Sequence, residues 1–235
     1  MTDIVITGMG IVSALGRGVE ATAERLLKSQ PGVGRMRFLQ SRHADLPVGE
    51  VPYSDEQLRD MLGITPDFAI TRTSLLGRLA LVEAAEMAHL VDTDHLRIAF
   101  VSGTTVGGME KSERFYHDFL ENESKNEYIA LHDCGACTDM IANGFAGHIS
   151  MQTTISTACS SAANALILGA DLLRTGRADV VIAGGTECLS KFHLNGFNTL
   201  MILDSQPCKP FDKHRQGLNL GEGAAYVVME SAESA

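Results

Sequence analysis

Short apolar, β-branched runs at 4–7, 97–102, 153–157, 179–183 and 225–229 recur along the chain, separated by longer stretches whose apolar residues return every three to four positions. The first pattern suits buried strands and the second suits helices packed by one side, so their alternation predicts an α/β layered fold. The helical spacing predicts helices over 18–28, 72–90, 109–121, 138–148 and 159–175. No Gly/Ser- or Pro-rich linker and no solenoid-period repeat interrupts the alternation. Residues 1–235 are therefore expected to form one domain, or part of a larger one. Only 122–136 reads as a long irregular segment, a surface insertion.

Composition then narrows function. With 235 residues, 45% hydrophobic and 20% charged, the chain can bury a sizeable core. A net charge of -10 and a pI near 5.2 argue against nucleic acid or an anionic membrane as partner, since both are bound through clustered Lys and Arg. The opening MTDIVITGMG has no basic region, and NALILGADLL is broken by Asp171 well short of a membrane span, so a cytoplasmic location is expected. Five cysteines, an odd number, suggest reduced thiols and not a disulfide framework.

One cysteine stands apart. In TTISTACSSAANALILGADLL a β-branched run ends at Thr157, small residues make a turn, and an apolar-periodic helix begins beside Cys159. The unpaired N–H groups and positive dipole end of such a helix stabilise a thiolate and can receive the oxyanion of a tetrahedral intermediate. Ala158, Ser160, Ser161 and Ala162 leave room for a substrate carbonyl. The plainer alternative is a small cysteine packed beneath the sheet.

TACSSAANA resembles the nucleophile motif of the β-ketoacyl synthases, of the thiolase-like superfamily. VITGMGIVSALG, SGTTVGG, AGGTE and NGFNTLMILDSQPCKPFDKHRQGLNLGEGAAYVVMES resemble further family segments in the family's order, covering nearly the whole chain. The sequence departs from the family pattern at Met151-Gln152, where a Gly-Pro pair is usual, and at Leu218, where an aromatic is usual. The resemblance implies a thiolase-like layered α-β-α fold, with 1–235 as the N-terminal half, a mixed sheet covered by helices. It implies Cys159 as acceptor of an acyl group from acyl carrier protein, followed by decarboxylative condensation with a malonyl thioester, in fatty-acid or polyketide synthesis without a cofactor. Family members continue through a second half that carries two histidines, a lysine and a Gly/Phe-rich loop. On that basis the chain is expected to be acylated but to need a complementary C-terminal half to condense. The resemblance further places Val106, Met109 and Phe197 along a fatty-acyl tunnel, sets Arg72 and Arg78 to meet the acidic carrier protein, and implies a homodimer joined near 153–157.

Other candidates carry less. His148 in AGHIS resembles a family Gly-His pair but precedes the nucleophile, and is expected to be structural or solvated. Cys134-Gly-Ala-Cys137 lacks a second pair at zinc spacing, so no metal is expected; Cys188 and Cys208 read as buried or peripheral spare thiols. Glu222 and Asp212 read as structural acids with Lys213 or Arg215 as partners. A dinucleotide fingerprint in GMGIVSALG fails at Ser13, where its third glycine belongs. A non-catalytic half-synthase scaffold and a coenzyme A-dependent thiolase-like acyltransferase stay open as alternatives.

Overall fold

The computed structural model describes residues 3–91, 93–122 and 128–235. Among them six strands form one mixed sheet: β1 (Ile4–Ser13), β2 (Gly16–Arg17), β3 (Ile98–Gly103), β4 (Ile149–Ile155), β5 (Val180–Glu187) and β6 (Gly223–Ser231). Their order is β2-β1-β6-β5-β3-β4. β3 runs parallel to β4 and β5, whereas β6 is antiparallel to β5 and β1. The helices are α1 (Val19–Leu27), α2 (Asp55–Leu62), α3 (Arg72–Met87), α4 (Met109–Asn122), α5 (Cys134–Ala142), α6 (Ser161–Arg174) and α7 (Lys191–Thr199).

The two faces of the sheet follow from the period-two alternation along each strand. Ile98 and Phe100 of β3, Ile182 of β5 and Tyr226 and Val228 of β6 pack with Leu75, Leu76 and Leu79 of α3. Ala99, Val101, Val181, Ala183 and Met229 point the other way, against Ala165, Leu172 and Leu173 of α6. Fully burying each large side chain contributes about 1.5–3 kcal/mol, so these two layers hold the fold. The phenol of Tyr226, carried into the core with its ring 5.2 Å from that of Phe100, is hydrogen-bonded to the Ser102 hydroxyl at 2.6 Å. The phenol is thereby satisfied in the core.

The expected layering is present, with differences that have local causes. β1 extends six residues beyond the expected 4–7, because Gly8 and Gly10 interrupt the apolar pattern without interrupting the strand. Both glycines are demanded by packing: a Cβ on Gly8 would lie 2.2 Å from the Ala84 carbonyl oxygen, and one on Gly10 2.0 Å from that of Ala80. Helix α3 thus sits directly on the β1 backbone. Gly10→Ala is expected to destabilise the protein by about 3 kcal/mol, because backbone cannot yield as a side chain does; urea unfolding measures this.

The helix expected over 138–148 forms four residues earlier, as α5, and the expected strand 153–157 is β4, ending at Ile155. Within the expected insertion, 123–127 lie outside the described residues, while Ile129–Leu131 form a 3-10 turn. α2, β2 and α7 were not expected from periodicity. No helix among the described residues is long and apolar enough to cross a membrane.

Candidate active site

The parallel strands β3 and β5 are paired up to Gly103 and Gly185, β5 continuing to Glu187, and the start of α6 rests on both glycines. A Cβ on Gly103 would meet the Ala162 nitrogen at 2.6 Å, and one on Gly185 the Ala162 Cβ at 2.9 Å. Cys159 lies two residues before α6, exposed, in the turn between β4 and the helix. The turn is tight enough to put Ala158 in the left-handed region, at φ 54, which costs an alanine about 1–2 kcal/mol. Its neighbours hold it there. The Ser161 hydroxyl donates to the Ala158 carbonyl at 2.7 Å and accepts the Thr157 N–H at 2.9 Å, and the Ser160 hydroxyl donates to the Thr157 carbonyl at 2.7 Å.

These bonds have a chemical consequence. Ser160 stands at the N-cap of α6, where a serine ordinarily accepts an N–H of the first turn, yet it makes no such cap. Its hydroxyl is turned back to the strand side. The first turn of α6 therefore offers uncapped amide donors and the positive end of the helix dipole beside the Cys159 thiol. Such donors suit an oxygen that becomes negative when the thiol attacks a carbonyl.

The thiol opens onto a cavity of about 600 Å³, a size that accommodates a ligand of several tens of atoms. Val106 and Phe197 are among the residues that line it. Met109 does not; it packs against the core at the start of α4. The carboxylate of Glu187, at the end of β5, accepts the N–H and hydroxyl of Thr105 and, at 3.0 Å, the N–H of Val106. It thereby fixes the turn that presents Val106. Glu187 is visible in the sequence only as the acid closing AGGTE.

A second thiol shares the wall. Cys188, read as a spare, lines the same cavity but is buried, and the Thr73 hydroxyl donates to its sulfur at 3.0 Å. Burial pushes its thiol well above the ordinary range, so its nucleophilic thiolate is scarce. Exposure separates Cys159 from it. His193, which carried no signal in the sequence, also lines the cavity, from α7. His148, by contrast, is exposed just before β4 and is not among the residues lining the cavity.

The two arginines expected to face a carrier protein are placed otherwise. Arg72 is buried, and all five of its N–H donors are engaged: by the Glu222 carboxylate at 2.6–3.1 Å, by Asp55 at 2.9 Å, and by the carbonyls of Tyr53 and Val51. Glu222 also accepts the N–H groups of Val51 and Leu189, tying the segment before α2 to the cavity wall. The partner of Glu222 is thus Arg72, not Lys213 or Arg215. Arg215 does reach the Asp212 segment, donating to the Asp212 carbonyl at 3.0 Å. Lys111, buried beside the cluster, bonds Asp55 at 2.8 Å. Arg78 is half-buried, donating to the Met140 carbonyl at 2.7 Å and lying over the Phe68 ring. Both arginines join elements of the fold in place of the surface role expected of them.

The C-x-x-C pair lies at the start of α5. Cys137 is buried, with the Ser74 hydroxyl on its sulfur at 3.3 Å, and burial pushes its thiol up to about 12. Cys134 is half-buried and likewise raised by burial.

Comparison with known proteins bears on this geometry. The family model for the beta-ketoacyl synthase N-terminal domain matches residues 1–235. The chain is 32% identical over 255 residues to the chloroplastic 3-oxoacyl-[acyl-carrier-protein] synthase I of Hordeum vulgare, covering 99% of this chain and 54% of that protein. It is 28% identical over 240 residues to nodulation protein E of Rhizobium meliloti, covering 99% of this chain and 58% of that one. Among solved structures, the ishigamide ketosynthase/chain length factor superposes with a TM-score of 0.89 at 26% identity, covering 100% of this chain and 59% of its own. The chain thus spans a little over half the length of these relatives.

Proposed function

The chain belongs to the β-ketoacyl synthase family as its N-terminal domain, and from that premise we propose that Cys159 accepts an acyl group from acyl carrier protein in fatty-acid or polyketide synthesis. The observation that carries the reading is the exposed Cys159 thiol in a strained turn, at the uncapped start of α6 and at the mouth of a largely apolar cavity. Its thiolate attacks the thioester carbonyl, forming the new C–S bond while the carbonyl π pair moves onto oxygen. The α6 amides hold that oxyanion. On collapse the carrier's sulfur leaves with the electron pair of its C–S bond and takes up the proton that Cys159 gave up, so one thioester replaces another.

The second half-reaction, in which a malonyl thioester loses carbon dioxide and the resulting enolate attacks the Cys159 thioester, needs donors to the enolate oxygen. We assign those donors to the remainder by which the relatives exceed this chain. Helix α6 leaves Leu166 38% and Ile167 60% exposed on its outer face, an apolar surface suited to such a remainder. β4 lies at the sheet edge, where a homodimer of the kind the family resemblance implies would pair. Incubation of the 235-residue chain with acyl- and malonyl-carrier protein is expected to give acylated protein and no β-ketoacyl product. A robust yield of that product from this chain alone would overturn the division of labour.

Val106, fixed by Glu187 in the cavity wall, sets how far the acyl chain extends. Val106→Phe is expected to shorten the preferred chain by two to four carbons, about the length of the added ring, read from competitive loading of mixed-length thioesters. An unchanged length profile would remove Val106 from the tunnel.

A further inference from the structure

Among the described residues, His193 is the one polar ring lining the cavity, and its surroundings fix which nitrogen carries the proton. Ser190, the N-cap of α7, is fully buried, and its oxygen accepts the His193 backbone N–H at 3.2 Å. The Ser190 hydroxyl hydrogen then needs an acceptor of its own, and His193 Nδ1 lies 2.7 Å away. Were Nδ1 the donor instead, the hydroxyl hydrogen would be left buried without a partner, at a cost of about 1–3 kcal/mol. The hydroxyl therefore donates to Nδ1. The neutral ring carries its proton on Nε2, which has no partner among the described residues.

Of the other hydroxyls in the wall, that of Ser13 accepts the Leu15 N–H at 3.1 Å, and three are spent as donors to the protein itself. Those of Thr105, Thr186 and Ser161 donate to Glu187, to the Thr73 carbonyl and to the Ala158 carbonyl. In an otherwise largely apolar cavity, an oriented N–H donor is an asymmetric element. A saturated chain lying against it strips water from the donor and returns nothing, whereas a carbonyl oxygen replaces that water.

We propose that His193 makes the cavity selective for acyl chains that carry a keto oxygen along their length, by donating its Nε2–H to that oxygen. The inference rests on the reading of the cavity as an acyl site, and it names the class of chain. Ser190 is a positioning residue in this scheme, acting through the ring it orients.

Acyl amides cannot transfer to a thiol, so their binding reports on the cavity even if Cys159 takes up no acyl group. Calorimetry with equal-length pairs of acyl amides, saturated or bearing one keto group at successive positions, is expected to show one keto isomer binding about five- to tenfold tighter than its saturated counterpart. His193→Phe, which keeps a ring of similar shape, should reduce that preference to within twofold. His193→Gln, which restores an N–H donor, should recover part of it, and both variants keep the backbone N–H that α7 capping uses. Equal binding of all pairs, or a preference that survives in H193F, overturns the proposal. Failure of Cys159 to accept an acyl group from a thioester would sink the transfer reaction and leave this selectivity standing.

Discussion

Replacing Cys159 by alanine lowers covalent loading from acyl-carrier protein by about 10³-fold or more, to the background of the other four thiols, because no second thiol stands at the start of α6, where the Ser160 and Ser161 hydroxyls are engaged with the Thr157 and Ala158 carbonyls. The informative control is Cys188→Ala. Cys188 borders the same cavity, yet its buried thiol is held protonated, so its removal leaves loading within about twofold of the parent. Radiolabelled or mass-tagged acyl groups on the two variants measure this. Equal loading of the parent and C159A proteins would show that the cavity's reactive thiol lies elsewhere.

The largest effect on stability is expected at Arg72. Its side chain is 9% exposed and that of Glu222 1% exposed, so Arg72→Ala leaves Glu222 buried without its counter-charge. Breaking such a pair costs about 3–5 kcal/mol, a large part of a domain's net stability. The double variant R72M/E222L, which removes both charges and keeps comparable volume, should recover part of that loss, because apolar packing can replace a buried pair while the Val51 and Leu189 N–H groups lose their acceptor. Urea denaturation of the three proteins checks it. A loss in R72A below about 1 kcal/mol would mean the cluster is hydrated and loosely held.

The same cluster sets the response to acid. Burial alone raises the Asp55 carboxyl, but Lys111 and Arg72 together outweigh it and hold Asp55 below its ordinary 3.8. A carboxyl depressed by folding contributes stability that is present above 3.8 and is lost as the pH falls through the folded value. Glu110, raised chiefly by its burial, acts in the opposite sense, with a contribution present below 4.5 and lost as the pH rises through its folded value.

How much of this was legible in the sequence depended on whether the determining contact was local. The Cys159 turn was legible because its cause lies within a few residues: a β-branched run, small residues, then an apolar-periodic helix. α2 carries a local signal as well, the capping box of Ser54 and Gln57, which would have placed its start. α7 was obscured by Asn195 and Gly196 in its interior, although Ser190 caps it. Arg72 read as a docking residue because its partner Glu222 is 150 positions away, and a charge at a helix start gives no hint of burial by a distant acid. His193 was silent for the same reason: only the meeting of β3, β5 and the β4–α6 turn brings α7 to the Cys159 cavity. Met109 shows the converse, a residue placed in the tunnel by resemblance that the start of α4 turns to the core.

The central claim is that Cys159, of the five cysteines, is the acyl acceptor. Incubation with an acyl-carrier protein, followed by proteolysis and peptide mapping by mass spectrometry, tests it most directly. The account predicts a single acyl adduct, on the peptide containing Thr157-Ala158-Cys159-Ser160. An adduct on Cys134, Cys137, Cys188 or Cys208, or none at all, would contradict it.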